Sequence, residues 1–288
     1  MDKKFGLVLE GGGFRGCYTA GALKWLYEHD IRFSYSASIS VASVHAFCYA
    51  TGRMEEMERI AIDGVLEKNF IGIVPLIREG GLCGLNAMKE KYLKPFAGEA
   101  LKDLKNSDRD CEIGLYNMSE QKLQYFGKEY FDDEGEYLKA SCVLPISGKM
   151  TVLNGQKFLD GGIESMVSIN RSIETGHTKH LVIVTKDKNY VRKPNNFFLA
   201  NALRIIYHKY KTMLKTLDGR VDSYYREMNQ VYQMEQEGTA ILVRPSKDCG
   251  VGRFSGNKQQ LEEMYQLGYD DMEAIKDKLY EFLEIKEK

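Results

Sequence analysis

A glycine-rich segment near the amino end of the chain contains residue types that could hold an anion. Its residues are Gly11, Gly12, Gly13, Phe14, Arg15 and Gly16. The segment follows a short apolar run, Phe5–Leu9, which predicts a buried strand, and it precedes a predicted helix over residues 17–29. Glycine lets the backbone come close to a bound group, and the first turn of a helix presents N–H donors without partners. With the positive charge of Arg15, the segment suits an anion that is permanent or that forms during a reaction.

Three interpretations of this segment stay open at this point. The spacing Gly11-x-Gly13-x-x-Gly16 fits a dinucleotide-binding turn, which expects a carboxylate at the end of the second strand. That strand, predicted over residues 33–39, ends without one. The segment could instead be a tight turn without a ligand. It could also be an oxyanion hole, which stabilises the charge formed in acyl transfer and needs a nucleophile nearby.

Ser40 stands where such a nucleophile is expected, between the second predicted strand and an apolar predicted helix over residues 41–49. A nucleophile elbow occupies a strand-to-helix junction of this kind and exposes the serine hydroxyl at the edge of the sheet. The alternative is a strand end with solvated or helix-capping serines. Asp160, in a tight turn with two following glycines, would supply a general base for Ser40, although Asp-Gly is also common in plain turns.

Together these three segments resemble the patatin-like phospholipases, in particular their bacterial branch. Their order matches that family, and so does the spacing from the glycine segment to Ser40. Further matching segments are Arg78-Glu79-Gly80-Gly81-Leu82, Ala140-Ser141 with Pro145, Gly252-Arg253 and Leu267-Gly268-Tyr269. The resemblance covers most of the chain and implies a three-layer α/β/α fold with a mostly parallel central sheet.

The resemblance also implies the chemistry and the residues that perform it. Ser40 would be the nucleophile and Asp160 the base of a Ser–Asp dyad. The backbone N–H groups of residues 11–16 would form the oxyanion hole, with help from the side chain of Arg15. The implied substrates are acyl esters of lipids, namely lysophospholipids, phospholipids or acylglycerols, and no metal or organic cofactor is implied.

The elbow departs from the family pattern at two positions. Where the family has glycines, this chain has Ser38 and Ala42. A Cβ atom at a position that needs a positive φ costs roughly 1–2 kcal/mol, so we expect low activity from a strained elbow. The alternative is that the elbow accommodates the two small side chains. The alternatives to an active hydrolase are therefore a catalytically impaired relative that binds an acyl lipid or a partner, and a nucleotide-binding protein.

The composition is that of an ordinary globular protein. Of 288 residues, 40 are Lys or Arg and 41 are Asp or Glu, for a formal net charge of −1, so we expect no nucleic-acid partner. The six cysteines lie far apart without metal-ligand spacing, which predicts reduced and mostly buried thiols. No apolar run has the length of a signal peptide or a membrane span, which predicts a soluble cytoplasmic protein.

Apolar runs farther along the chain predict the rest of the sheet and its helices. We expect strands over residues 111–116, 152–153, 181–185 and 239–243 and a long helical region over 195–238. A closing helix or helix pair is expected over residues 259–285, with a break near Gly268. These elements suggest a catalytic α/β domain over residues 1–194 and a helical extension over 195–288, packed on the same domain.

The predicted helical region carries an apolar stripe along one face. Its members are Leu199, Leu203, Ile206, Tyr210, Met213 and Leu217, with Arg204, Lys209, Lys211 and Lys215 around them. A stripe that faces the core is the favoured interpretation. The alternative is a helix that makes transient contact with a membrane surface and so reaches lipid.

Four other ionisable residues are predicted to have no catalytic role. His45 would lie on the helix after the elbow and point away from the nucleophile, while His177 and His180 are expected at the surface. Glu10 is expected to pair with Arg15 or to accept hydrogen bonds from backbone N–H groups.

Overall fold

Parallel strands form the centre of one eight-stranded sheet in the computed structural model, which describes residues 4–285. The strands are β1 (Phe5–Leu9), β2 (Tyr35–Ile39), β3 (Asp110–Asn117), β4 (Lys122–Phe126), β5 (Thr151–Leu153), β6 (Gln156–Asp160), β7 (Lys179–Ile183) and β8 (Ala240–Val243). Their order is β5-β6-β3-β2-β1-β7-β8, and β4 also pairs with β3. The strands from β3 to β8 in this order are parallel, whereas β4, β5 and β6 pair antiparallel.

Helices connect the strands and cover the sheet. They are α1 (Gly16–Glu28), α2 (Val41–Thr51), α3 (Met54–Ile62), α4 (Ile73–Glu79), α5 (Leu85–Met88), α6 (Lys94–Lys105), α7 (Glu136–Ser141), α8 (Ile169–Glu174), α9 (Phe197–Ile206), α10 (Lys211–Asp218), α11 (Arg220–Gln236), α12 (Lys258–Ala274) and α13 (Lys276–Leu283). Most of the elements predicted for the first 50 residues lie where the sequence places them.

The side chains of β1 show how the layers are built. Leu7 and Leu9 are buried in one core with residues of α1 and α2, whereas Val8 is buried in a second core with residues of α8 and α11. Successive side chains of a strand point to opposite faces, so helices cover both faces of the sheet. The predicted three-layer α/β/α fold with a mostly parallel sheet is therefore confirmed.

Gly268 lies inside α12 and does not break it, so the predicted break at this position is wrong. A Cβ atom on Gly268 would lie 2.1 Å from the carbonyl oxygen of Tyr18, and one on Gly21 would lie 1.8 Å from that of Tyr265. The two glycines thus let the backbones of α1 and α12 touch. The helix pair divides instead at Ile275.

The predicted helical region over residues 195–238 is three helices, α9, α10 and α11, and its apolar stripe divides between the core and the surface. Leu203, Met213 and Leu217 are buried, in agreement with the core interpretation, but Leu199 and Ile206 are exposed. Beyond this region, β8 pairs with β7 and so belongs to the central sheet. The division of the chain at residue 194 stays a prediction.

Two further predictions concern thiols and membrane spans. All six cysteines are free, and Cys17, Cys48, Cys83 and Cys111 are buried, as predicted. Within residues 4–285, no helix has both the length and the apolar character needed to cross a bilayer.

Candidate active site

The glycine segment leaves β1 and enters α1 through contacts too close for side chains. A Cβ atom on Gly11 would lie 2.8 Å from the Cβ atom of Ser40. Gly13 has a φ of +60°, and a Cβ atom there would lie 2.2 Å from the carbonyl oxygen of Arg253. Glycine at these two positions therefore brings the backbone of the segment against Ser40 on one side and residue 253 on the other.

Two of the six predicted oxyanion donors are engaged within the protein. Phe14 N–H donates to the carbonyl oxygen of Arg253 at 3.0 Å. Gly16 N–H donates to carbonyl oxygens of its own turn at the start of α1. The other four residues of the segment line a small cavity that also contains Ser40: Gly11, Gly12, Gly13 and Arg15.

Ser40 directly precedes α2 and has a backbone conformation that few residues other than glycine adopt. Its φ is 61° and its ψ is −139°. Such a conformation costs roughly 1–3 kcal/mol and occurs preferentially at functional sites. The carbonyl oxygen of Ser40 accepts a hydrogen bond from Ser43 N–H at 2.9 Å, which continues the elbow into the first turn of the helix.

The two residues in place of the family's glycines are accommodated without left-handed backbone. Within the elbow, Ser40 has a positive φ and neither Ser38 nor Ala42 does, which agrees with the alternative that the elbow accommodates the two side chains. Both side chains are fully buried, and Ser38 Oγ donates to the carbonyl oxygen of Glu112 at 3.2 Å. Their Cβ atoms are part of the packing between β2, α2 and β3.

Asp160 reaches Ser40 because of the way in which three strands pair with β3. Ile39 of β2 pairs with Gly114, and Asp160 of β6 pairs with Leu115, the next residue of β3. β4 occupies the opposite edge of β3 at both positions, so β2 and β6 lie end to end along one edge. The carboxyl ends of these two strands therefore meet, and Asp160 and Ser40 line the same cavity.

The carboxyl group of Asp160 is buried and has one oxygen free. Gly162 N–H donates to Oδ1 at 2.7 Å, whereas Oδ2 has no hydrogen-bond partner among residues 4–285. Burial raises the pKa of Asp160 to about 6, against the opposing effects of Gly162 N–H, the nearby Ser40 hydroxyl and two arginines. The Ser40 hydroxyl does not reach hydrogen-bond geometry with Oδ2, which is common in catalytic pairs without substrate. A carboxyl group with one free oxygen and a pKa of about 6 can take up a proton near neutral pH.

Two cavities of opposite character meet at Ser40. The first, called here the apolar cleft, encloses about 90 Å³, and its walls include Phe14, Val44, Ile60, Phe70, Leu93 and Phe254. The second, the cationic cavity, encloses about 30 Å³ beside Asp160. Its basic residues are Arg15, Lys186, Arg192, Arg220 and Arg253. Gly13 and Leu144 line both spaces, as Ser40 does.

Glu10 joins the end of β1 to the end of β7. Its Oε2 accepts from Thr185 N–H at 2.7 Å and from the Thr185 hydroxyl at 3.0 Å, so the prediction that it accepts from backbone is confirmed. Its ion pair, however, is with Lys186 and not with Arg15. Burial lowers the pKa of Lys186 to about 8, and the Glu10 carboxylate opposes that shift.

The histidines lie outside both cavities. His45 is fully buried with neither ring nitrogen hydrogen-bonded among residues 4–285, and burial lowers its pKa to about 4. His180 is buried, with Ser172 Oγ at 3.0 Å from Nδ1, so its predicted surface position is wrong; the chain reversal before β7 covers it. His177 is half-buried and stacks on Tyr35.

Sequence reasoning missed most of the positive charge at the site. Lys186, Arg192 and Arg220 belong to no motif, and Arg253 appears only in a short matching segment without a role. The one local signal is Arg220, a cation at the start of a 17-residue helix, where acidic residues are favoured. Within residues 4–285, no group of three or more His, Cys, Asp or Glu side chains is placed to hold a metal ion.

Two family models match separate parts of the chain. The sequence model of the patatin-like phospholipases matches residues 7–171, and that of a domain of unknown function (DUF6363) matches residues 210–284. No curated protein matches the chain. Among solved structures, that of VipD from Legionella pneumophila is similar with a TM-score of 0.49 and 12% identity, over 96% of this chain and 67% of that one. Since the first match covers more than half of the 288 residues, the chain belongs to the patatin-like phospholipase family.

Proposed function

We propose that the protein is a serine acyl hydrolase that cleaves acyl esters of lipids, with Ser40 as nucleophile and Asp160 as general base. The observation that carries this proposal is the position of Ser40. The residue has a strained backbone, lines both the apolar cleft and the cationic cavity, and shares the second cavity with the buried carboxyl group of Asp160. An acyl chain in the cleft would bring its ester carbonyl to the serine hydroxyl.

The reaction that this arrangement supports has two halves. Ser40 Oγ attacks the ester carbonyl carbon, and its proton passes to Asp160 Oδ2. The tetrahedral intermediate collapses when the leaving alkoxide takes that proton, which leaves an acyl group on Ser40. A water molecule then gives a proton to Asp160 and attacks the acyl carbon. The second tetrahedral intermediate breaks its bond to Ser40 Oγ, which takes the proton back from Asp160 as the fatty acid leaves.

The oxyanion of each intermediate needs donors that point into the cavity. Phe14 N–H and Gly16 N–H are engaged elsewhere, so we assign the oxyanion hole to the backbone of Gly11, Gly12 and Gly13 together with Arg15. Fixed donors of this kind are effective because they need no reorganisation as the charge forms.

Contact with a lipid surface is part of this proposal. α9 exposes large apolar side chains, with exposures of 75% for Phe197, 83% for Phe198 and 75% for Ile205. The helix lies beside the site, since the hydroxyl of Tyr207 accepts from Ile146 N–H at 3.4 Å, two residues after Leu144. Exposed cations follow at Arg204, Lys209, Lys211 and Lys215. Apolar side chains next to cations suit the interface of an anionic membrane.

Covalent labelling with a fluorophosphonate probe tests the proposed nucleophile. We expect labelling of the wild type, no labelling of Ser40→Ala, and undiminished labelling of the matched control Ser43→Ala, one turn along the same helix. The wild type should also hydrolyse a short acyl ester that Ser40→Ala leaves intact. A folded wild type that neither reacts with the probe nor cleaves esters would instead support the catalytically impaired alternative.

A further inference from the structure

The cationic cavity holds more positive charge than the protein neutralises. Arg15, Arg192, Arg220 and Arg253 form no ion pair within 4.0 Å in the part of the chain from residue 4 to 285. Among the described residues, only the fifth cation, Lys186, has a carboxylate partner, which is Glu10. Unpaired arginines are ordinary on a protein surface, where water solvates them, but they are rare in the interior.

Burial withdraws these arginines from water to different degrees: Arg192 is buried, whereas Arg15, Arg220 and Arg253 are half-buried. Arg192 is 7% exposed, and the Nε atom of Arg220 is buried without a hydrogen-bond partner among the described residues. The guanidinium of Arg220 lies beside the proposed base: a Cβ atom on Gly162 would be 3.4 Å from Nη2 of Arg220 and 3.0 Å from Oδ1 of Asp160. Aromatic rings supply part of the missing stabilisation, since the guanidinium of Arg192 lies 5.0 Å from the ring centre of Tyr224.

The arginines also repel one another. Burial lowers the pKa of Arg220 to about 9, and the charges of Arg253 and Arg192 lower it further, with only partial compensation from Asp160. Burial likewise lowers the pKa of Arg253, with Arg192 adding to the effect. Arg220 moreover begins α11, where the helix dipole is itself positive. A free protein of this kind is destabilised at the site, and a bound anion would remove the cost.

The charge of the cationic cavity selects among anions. A phosphodiester that carries a choline or ethanolamine brings a cation of its own, which the arginines would repel. A terminal phosphate monoester brings only negative charge. Several guanidinium groups around one small space match the oxygens of a phosphate monoester and its charge of nearly −2.

We propose that the cationic cavity is a subsite for a phosphate monoester on the substrate, so that the enzyme acts on acylglycerol phosphates in preference to esters without a terminal phosphate. The acyl chain then occupies the apolar cleft, the ester lies at Ser40, and the phosphate lies against Arg192, Arg220 and Arg253. This inference rests on the proposed hydrolase function, and it adds the group that determines specificity.

Three esters with the same acyl chain test the subsite: 1-acylglycerol 3-phosphate, 1-acylglycerol and 1-acylglycerophosphocholine. We expect kcat/KM for the phosphate monoester to exceed that for each of the others on the order of tenfold or more. Arg220→Gln should reduce this preference on the order of tenfold, Arg220→Lys should retain part of it, and the matched control Arg226→Gln, exposed on the same helix, should leave it unchanged. If Arg220→Gln slows all three esters equally, the arginines act on the oxyanion and the subsite is refuted, while the hydrolase function stands.

Binding to an inactive variant separates failure of the subsite from failure of the hydrolase. We expect glycerol 3-phosphate to raise the melting temperature of Ser40→Ala, glycerol to have no effect, and the additional change Arg220→Gln to abolish the shift. A missing shift would overturn the subsite whether or not the wild type is an esterase.

Inorganic phosphate should inhibit hydrolysis of the phosphate-bearing ester competitively. Binding of inorganic phosphate without competition would mean that free phosphate, and not the substrate's phosphate, is the ligand.

Discussion

Ser141 Oγ lies 3.1 Å from the carbonyl oxygen of Ser40, although 101 residues separate the two in sequence. Ser141 ends α7, and its hydroxyl is also 2.7 Å from the carbonyl oxygen of Leu138. The strained elbow is thus in contact with α7. This helix precedes β6 in the chain, and β6 carries Asp160. The proposed nucleophile and the proposed base are therefore positioned by one connected part of the structure.

The positive φ of Ser40 predicts that replacement by glycine leaves the protein more stable than replacement by alanine. Ser40→Ala and Ser40→Gly both remove the hydroxyl and should both abolish ester hydrolysis. They differ in the Cβ atom, which is unfavourable at a φ of 61°. We expect the glycine variant to be more stable to urea than the alanine variant by about 1 kcal/mol. Equal stabilities would show that the surrounding contacts, and not the Cβ atom, determine the conformation.

The raised pKa of Asp160 predicts how activity depends on pH. A general base must be deprotonated, so kcat/KM should rise as the pH increases through about 6 and level off above it. Asp160→Asn keeps the shape of the side chain but cannot take up the proton, and it should lower activity on the order of a hundredfold or more. Profiles of kcat/KM for the wild type and Asp160→Asn, from about two pH units below to about two above the pKa of about 6, measure both effects.

His45→Ala is the control for this assignment. His45 is buried outside both cavities, so its removal should leave the midpoint of the pH profile in place once activity is normalised to folded protein. A larger loss of activity for His45→Ala than for Asp160→Asn would mean that the Ser–Asp assignment is wrong.

The sequence predicts well those parts of the site that depend on residues close to one another along the chain. The glycine segment follows β1 and Ser40 follows β2, and parallel strands bring such junctions to one edge of the sheet. The break assigned to Gly268 is wrong because the reason for that glycine is a contact with Tyr18, 250 residues away. The convergence of Arg192, Arg220 and Arg253 likewise depends on tertiary packing, and no local pattern encodes it.

Glycine at the two positions that flank Ser40 is expected to lower the stability of the protein without raising the labelling rate of Ser40. Ser38→Gly combined with Ala42→Gly restores the family's glycines, but neither position has a positive φ. Glycine there only adds freedom to the unfolded chain and removes buried Cβ atoms, at a cost of about 1 kcal/mol or more in total. We expect a lower melting temperature with unchanged or slower labelling by the fluorophosphonate probe. Labelling that becomes tenfold faster would show that the native elbow is impaired.

The exposed side chains of α9 predict that one double substitution slows hydrolysis of esters in lipid vesicles but not hydrolysis of a soluble ester. Phe197→Ser with Phe198→Ser removes the two most exposed aromatic rings of the helix, whose insertion would bury apolar area. We expect weaker sedimentation with vesicles containing phosphatidylglycerol, and slower hydrolysis of esters in them, on the order of tenfold. Hydrolysis of a soluble short-chain ester should not change, because the rings line neither the apolar cleft nor the cationic cavity.

Ile173→Ser provides the matched control for the membrane surface. Ile173 is also an exposed apolar side chain, but α8 leads into the start of β7, at the edge of the sheet opposite the carboxyl ends of the parallel strands. Its replacement should affect neither vesicle binding nor activity. If the α9 variant loses soluble and vesicle activity equally, α9 supports the fold of the site; if it loses neither, the enzyme reaches lipid through another surface. Only a selective loss on vesicles, absent from Ile173→Ser, agrees with a helix that lies in the membrane interface beside Ser40.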